Sequence, residues 1–412
     1  MNTKAQGTLR QIPSGVWMLG LVSMFMDISS EMIHSLLPLF MVTSLGASAF
    51  SVGLIEGLAE STALVSKVFS GVLSDYFGKR KALTLFGYSL GACSKPLFGL
   101  ASSTGLVMMA RFIDRLGKGI RGAPRDAIVS EITPPHLRGA AFGLRQGLDT
   151  VGAFIGPLLG VSFMLLWRNN FRAIFWLAAI PGFAAVLLLF FGVQEPETLK
   201  QTKSTNPLRR ENLVSLSRDY WWVVVIGAFF SLARFSEAFL VLRAQQVGVP
   251  MALVPLVMVL MNLVYAVGAY PFGKLADQVN PTKLLVFGIC ILVAADLFLA
   301  ASRTGHSWES HFTLGGTSFL LGIVLWGLHM AVTQGLLAKM VADTSPTDLR
   351  GTAYGFFNLV SGLALLLASL VAGLLWDQLG SGFTFYAGAA FSLLTLFILM
   401  GHDRRSKLDS FH

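Results

Sequence analysis

The chain has 412 residues, of which 54% are hydrophobic and only 13% charged, whereas a soluble domain carries about 25% charged residues. With a mean hydropathy of +0.66, this composition excludes a soluble globular protein and points to a chain that crosses a membrane many times. The formal net charge of +9 comes from bases scattered over short loops rather than gathered in one stripe, which argues against a nucleic-acid partner.

A helix spanning a bilayer needs roughly 20 mostly apolar residues, because no water is there to satisfy its backbone. Twelve stretches qualify: 16–43, 52–73, 81–101, 104–124, 139–166, 173–193, 220–246, 251–275, 282–302, 313–340, 351–375 and 382–400. The first is longer than a signal-peptide core and lacks a small-residue cleavage site, so it is read as retained. Lys and Arg concentrate in one set of loops, among them Lys79, Arg80, Lys81, Arg138, Arg209, Arg210, Lys283 and Arg350. The opposite set has little beyond Arg168, Arg172, Arg243 and Arg303. Both termini and the 194–219 segment are therefore expected on the cytoplasmic side. Cys93 and Cys290 lie far apart inside spans, so neither a disulfide framework nor a metal site is expected.

A charged side chain inside the hydrocarbon region is expensive, so each one is a candidate for function. Span 1 carries Asp27 and Glu31, four apart and so on one helix face, with Pro38 beyond them. Two acids so placed repel, and one of them is expected to hold a proton near neutral pH. Span 2 adds Glu56, Glu60 and Lys67, and span 3 adds Lys95. Span 4, "RFIDRLGKGIRG", sets Arg111 and Arg115 on one face with Asp114 beside them, and its Gly117, Gly119 and Gly122 permit close helix approach. An Arg stays charged at any pH and can hold an anionic substrate or steady a neighbouring acid. Span 5 carries Arg145 and Asp149, then "GAFIGPLLG" with Gly152, Gly156, Pro157 and Gly160, a kinked seam for tight packing.

The longest polar segment, "QEPETLKQTKSTNPLRRENLVSLSRDY", divides six spans from six. The boundaries read 1–193 and 220–412 for two six-helix bundles joined by a 194–219 linker. In the second half the embedded charges thin out to Arg234, Glu237 and His329. "SSEM" of span 1 matches "FSEA" of span 7, pairing Glu31 with Glu237. Asn262, Tyr265, Trp326, His329, Gln334 and Asn358 are the polar and aromatic candidates for a substrate-lining surface. Asp27, Glu31, Glu56, Asp114, Asp149 and Glu237 are the proton-coupling candidates, and Arg111, Arg115, Arg145 and Arg234 the substrate-binding bases. The alternative is that these acids only neutralise Arg111, Arg115 or Arg234 as structural ion pairs.

Punctuation repeats between the halves: "GVLSD" at 71–75 matches "GKLAD" at 273–277, and "PPHLRGAAFGL" at 134–144 matches "PTDLRGTAYGF" at 346–356. This is a duplicated six-helix unit. The segment "GVLSDYFGKRK", with Gly71, Leu73, Asp75, Gly78, Lys79 and Arg80, resembles the loop signature of the major facilitator superfamily. The resemblance covers essentially the whole chain. It departs from the pattern at Asn280 and Pro281, where a Gly and a base would stand.

The resemblance implies an all-α membrane fold with twelve helices in two pseudo-symmetric bundles, working by alternating access. It also implies a gating role for Gly71, Asp75, Gly78, Lys79, Arg80 and Asp277, and an embedded Arg that falls on Arg111 by distance from the loop signature or on Arg115 by the local Arg-to-Gly spacing. "GAFIGPLLG" is similar to the antiporter-type motif of span 5, which implies export in exchange for protons. The expectation is a transporter, not an enzyme, since neither HExxH, nor a His/Cys set, nor GxxxxGK[ST] is present. It needs no cofactor, takes a small molecule and protons, sits in an inner membrane and works as a monomer. An organic-anion or metabolite exporter or uniporter stands as the alternative, and a metal-ion transporter using Met258, Met261, His329 and Met330 as a third.

Overall fold

The apolar runs become helices. The computed structural model describes residues 11–77, 79–195, 215–276, 278–302, 314–346 and 349–409, without the side chains of residues 72, 75–77, 314–315 and 402–409. Among these residues there is no strand. In chain order the helices are α1 (Ser14–His34), α2 (Leu37–Leu45), α3 (Ala49–Phe77), α4 (Arg80–Leu100), α5 (Thr104–Ile132), α6 (Arg138–Leu166), α7 (Phe171–Gly192), α8 (Arg218–Ala233), α9 (Ala238–Gln246), α10 (Leu256–Ala276), α11 (Pro281–Ala301), α12 (Leu314–Thr333), α13 (Leu336–Thr344), α14 (Arg350–Leu379) and α15 (Ser381–Asp409).

Taken with their breaks, these helices fill all twelve expected spans. Ten of the segments are long and apolar enough to cross a membrane. The two that fall short, α4 and α5, are those that carry Lys95 and the arginine-rich face, so the shortfall is itself the mark of embedded charge.

Three expected single helices are broken. Span 1 divides because Pro38 has no N–H to offer and its ring collides with the carbonyl four residues back, that of His34. The chain turns instead, with Ser35 N–H donating to Glu31 O at 3.1 Å and Leu36 N–H to Ile33 O at 3.0 Å. Span 7 unwinds over residues 234–237, between α8 and α9, where Arg234 leaves helical geometry at φ −109°, ψ 87°. The freed Ser236 N–H donates to Ser369 Oγ at 3.2 Å, and the Ala238 N–H to Ser236 Oγ at 3.2 Å. Span 10 divides at Gln334 and Gly335. Broken helices of this kind place free backbone groups inside the bundle, where side chains must satisfy them.

The chain divides into two compact units, Met1–Leu37 with Thr62–Asn206 and Pro38–Ser61 with Pro207–His412. The boundary therefore runs through α2 and α3 as well as through the central polar segment, most of which lies outside the described residues. In the first unit α1 packs on α6 and α7, and α4 on α5 and α7. Gly117 of α5 lets α4 come close: a Cβ there would stand 2.6 Å from Gly87 O. In the second unit α11 packs on α12 and α15, α10 on α12, and α8 on α14 and α15.

The signature loop is partly described. Asp75's side chain, Gly78 and Asp277 lie outside the described residues, and Gly71 and Lys79 stand on either side of the first gap. Arg80 pairs with Glu131. The first turn of α4 has no side-chain cap of its own; Glu195 supplies one, accepting from Lys81 N–H at 3.1 and 3.0 Å. In the second copy the departure from the pattern has a local reason. Asn280 Oδ1 accepts from Thr282 N–H at 2.8 Å and Pro281 occupies the first helical position, which together start α11 without help from elsewhere.

Candidate functional site

The arginine-rich face of α5 builds the centre of the first unit. Residues 111, 115, 118, 121 and 125 recur every three or four positions, with 114 three after 111, so they share one side of the helix. Asp114 is 3% exposed and receives Lys95 Nζ at 2.6 Å, with Arg111 at 3.7 Å and Arg115 at 4.0 Å. Lys95 Nζ also donates to Ser30 Oγ of α1 at 2.9 Å. A charge this deep is tolerable only when paired and hydrogen-bonded, and here one acid is held by three bases.

Lower on the same face, Arg125 donates to Ser23 Oγ of α1 at 2.9 Å, and Ser23 lies 3.0 Å from the Tyr88 hydroxyl. The Arg121 guanidinium stacks 4.7 Å over the Tyr88 ring. Asp126 connects Arg125 at 3.1 Å with Arg145 of α6 at 3.7 Å, and Arg145 donates to Asp149 at 2.5 Å. The four-residue spacing of Arg145 and Asp149 makes that last pair legible in the sequence.

Asp27 and Glu31 stand apart from these locked pairs. Both are only partly buried, and α6 backs them closely: a Cβ on Gly152 would lie 3.0 Å from Asp27 Cβ, and one on Gly156 2.8 Å from Glu31 Cβ. Asp27 interacts electrostatically with Asp149, Lys118, Arg121 and Glu31. Glu31 does so with His34, Lys118 and Arg115, and its carboxylate lies 3.4 Å from His34 Nδ1. Lys118, exposed on α5, is thus shared by both acids. The seam of Gly152, Gly156, Pro157 and Gly160 faces α1; Gly160 approaches Ser35 and Leu36.

The second unit holds its own constellation. Arg234, in the unwound 234–237 segment, interacts electrostatically with Glu237, Tyr265 and Glu60. His329 of α12 is fully buried, feels the charge of Arg234, and sits edge-on to Trp326 at 5.3 Å. Trp326 in turn packs 5.4 Å from Phe235. Glu56 is also buried, whereas Asn262, Tyr265 and Asn358 keep partial exposure and Gln334 is exposed. Among the described residues no group of three or more His, Cys, Asp or Glu is arranged to hold a metal ion.

A profile of the Major Facilitator Superfamily matches residues 19–301 and again 224–410. The chain belongs to the Major Facilitator Superfamily. It is a transporter of that family, not an enzyme. An MFS-type transporter of Methanocaldococcus jannaschii is 34% identical over 398 residues, covering 95% of each chain. The class H tetracycline resistance protein of Pasteurella multocida is 26% identical, covering 86% of this chain and 87% of that one. The fold matches a solved POT family transporter with a TM-score of 0.79 at 14% identity, covering 96% of this chain and 99% of that one. It matches a D-xylose–proton symporter with a TM-score of 0.70 at 18% identity, covering 93% and 96%.

Several residues of these constellations carry no role in the sequence reading: Ser23, Tyr88, Lys118, Arg121, Arg125 and Asp126 in the first unit; Asp296 of the second unit, outside both constellations, carries none either. The α5 bases were legible as a continuation of the three-to-four spacing begun by Arg111 and Arg115. Asp296 was legible as an acid inside an otherwise apolar stretch. Tyr88 and Ser23 carry no such signal, because only packing brings α1 and α4 to α5.

Proposed function

We propose that this protein is a proton-coupled secondary transporter that exports a small molecule by alternating access. The observation that carries this reading is the contrast between Asp114, closed off by Lys95, Arg111 and Arg115, and the partly exposed acids Asp27 and Glu31 on one face of α1. A proton carrier must exchange with water as well as sit among charges that tune it. Asp27 and Glu31 meet both conditions; Asp114 is assigned to holding α4 against α5. Asp149, tied to Arg145, is assigned to the relay behind Asp27. Likeness to a tetracycline resistance protein and to a multidrug resistance protein of Photorhabdus laumondii supports export. Both termini are assigned to the cytoplasmic side by the distribution of Lys and Arg.

A second reading, export of an organic anion, is favoured by one observation. Around the acids of the first unit stand Lys95, Arg111, Arg115, Lys118, Arg121, Arg125 and Arg145, so bases outnumber acids, and exposed Lys118 supplies a cation for an anionic group. The test uses vesicles containing the purified protein, an imposed pH gradient and a panel of cations, neutral drugs and organic anions. A substrate should dissipate the gradient through the wild type and not through Glu31→Gln. Full activity in Glu31→Gln would remove that residue from the mechanism, and substrate accumulation without proton movement would overturn coupling.

A further inference from the structure

Asp296 belongs to none of the groupings above. It lies in the C-terminal third of α11, is 0% exposed, and neither carboxyl oxygen has a hydrogen-bond partner among the described residues. The neighbouring helix α15 presents Gly388 to it. A Cβ there would stand 2.7 Å from Asp296 Oδ2 and 2.9 Å from Phe235 Cε1, so glycine leaves room for the carboxyl to meet the ring of the unwound segment. Ser392, one turn further along α15, is likewise fully buried with its hydroxyl unpartnered.

The charged and titratable groups on the surrounding elements are engaged elsewhere. Arg243 of α9 spends its guanidinium on Leu299 O, Ala300 O, Ser302, Gln246 and Ser381. Lys339 of α13 pairs with Asp343 at 3.1 Å. His329 of α12 faces Trp326 and Arg234, Tyr386 of α15 is exposed, and Lys283 lies exposed in the first turn of α11 itself. A carboxylate with no hydrogen bond and no counter-charge in such surroundings is far costlier than the neutral acid.

We propose that Asp296 is a second proton-binding site, confined to the second unit, whose occupancy sets how Phe235 and the unwound 234–237 segment pack. Phe235 is the link: its ring lies 5.6 Å from Phe239, 5.4 Å from Trp326 and 5.5 Å from Phe385. Loss of the proton puts a negative charge against that aromatic cluster, one residue from Arg234 and two from Glu237. Those two residues therefore feel a proton bound at Asp296 through the backbone they share with Phe235. The inference extends the proton-coupled reading, but its readout does not depend on transport.

The test is infrared difference spectroscopy of the full-length protein in lipid nanodiscs across steps of pH. The wild type should show the C=O stretch of a buried neutral carboxylic acid at neutral pH. The band should be absent in Asp296→Asn, retained in Glu31→Gln, and moved in frequency in Asp296→Glu, which also serves if the Asn variant fails to fold. A band unchanged in the Asp296 variants, or a carboxylate that responds to sodium rather than to pH, overturns the proposal. If Asp296 carries the band while vesicles show no proton movement, the inference stands and the proton-coupled transport reading falls.

Discussion

The two units handle embedded charge in different ways. In the first, side chains neutralise side chains in mid-helix: Lys95 with Asp114, Arg145 with Asp149 and Asp126. In the second, besides the Arg234–Glu237 and Lys339–Asp343 contacts, charges settle on helix ends, buried Arg243 and exposed Asp377 among them. Asp377, near the end of α14, accepts from the Ala49 and Phe50 N–H groups at 3.0 and 2.8 Å, at the start of α3. Arg243 donates to carbonyls at the end of α11. An ion pair removes two charges at once but requires both partners; a helix end offers only partial charges, yet they are supplied by the fold itself. The second unit thus adds helix ends to its side-chain contacts, and it leaves the Asp296 carboxyl oxygens without hydrogen-bond partners among the described residues.

Breaking the most buried pair should give the largest effect. Lys95→Met leaves Asp114 with its strongest partner gone and should destabilise the protein by about 3–5 kcal/mol. Thermal unfolding in detergent reads this, and Lys95→Met with Asp114→Leu should recover much of the loss. If the double variant is no better than the single, the pair is not what holds α4 to α5. An intermediate effect is expected at the helix seam. Gly156→Val drives a branched side chain against Glu31 Cβ and Ile28 O, the latter 2.9 Å from the first added carbon, at a cost of about 1–3 kcal/mol. Transport should fall with it, because α1 and its two acids are displaced; unaltered exchange in vesicles would show that the seam does not position them. The smallest effect belongs to the helix-end device. Asp377→Ala removes the acceptor for two N–H groups and should cost about 1 kcal/mol, read as a lower unfolding temperature. A loss as large as that of Lys95→Met would erase the contrast between the units.

Much of this was legible along the chain, and what was not has a common cause. Pairs within one helix could be read from spacing: Arg111 with Asp114, Arg145 with Asp149, and Glu31 with His34 across a single turn. The loop signature could be read too, although the capping of α4 by Glu195 could not, since that acid follows the far end of α7. The break at Pro38 has a local warrant in proline's missing donor, whereas the unwinding at 234–237 has none as clear. It depends on Ser369 of α14 being present to receive the Ser236 N–H.

By itself the sequence determined the membrane class, the twelve spans, the duplication and the family, because apolar length and loop charge are properties of the chain read in order. The tertiary structure alone decided that Asp114 is enclosed while Asp27 and Glu31 keep contact with the surface, that Pro38–Ser61 groups with the second unit, and that Asp296 is left without a hydrogen-bond partner. The physical reason is that the state of a charge in a membrane depends on what the other helices bring to it. Hydropathy records that a charge is present; only packing supplies or withholds its partner.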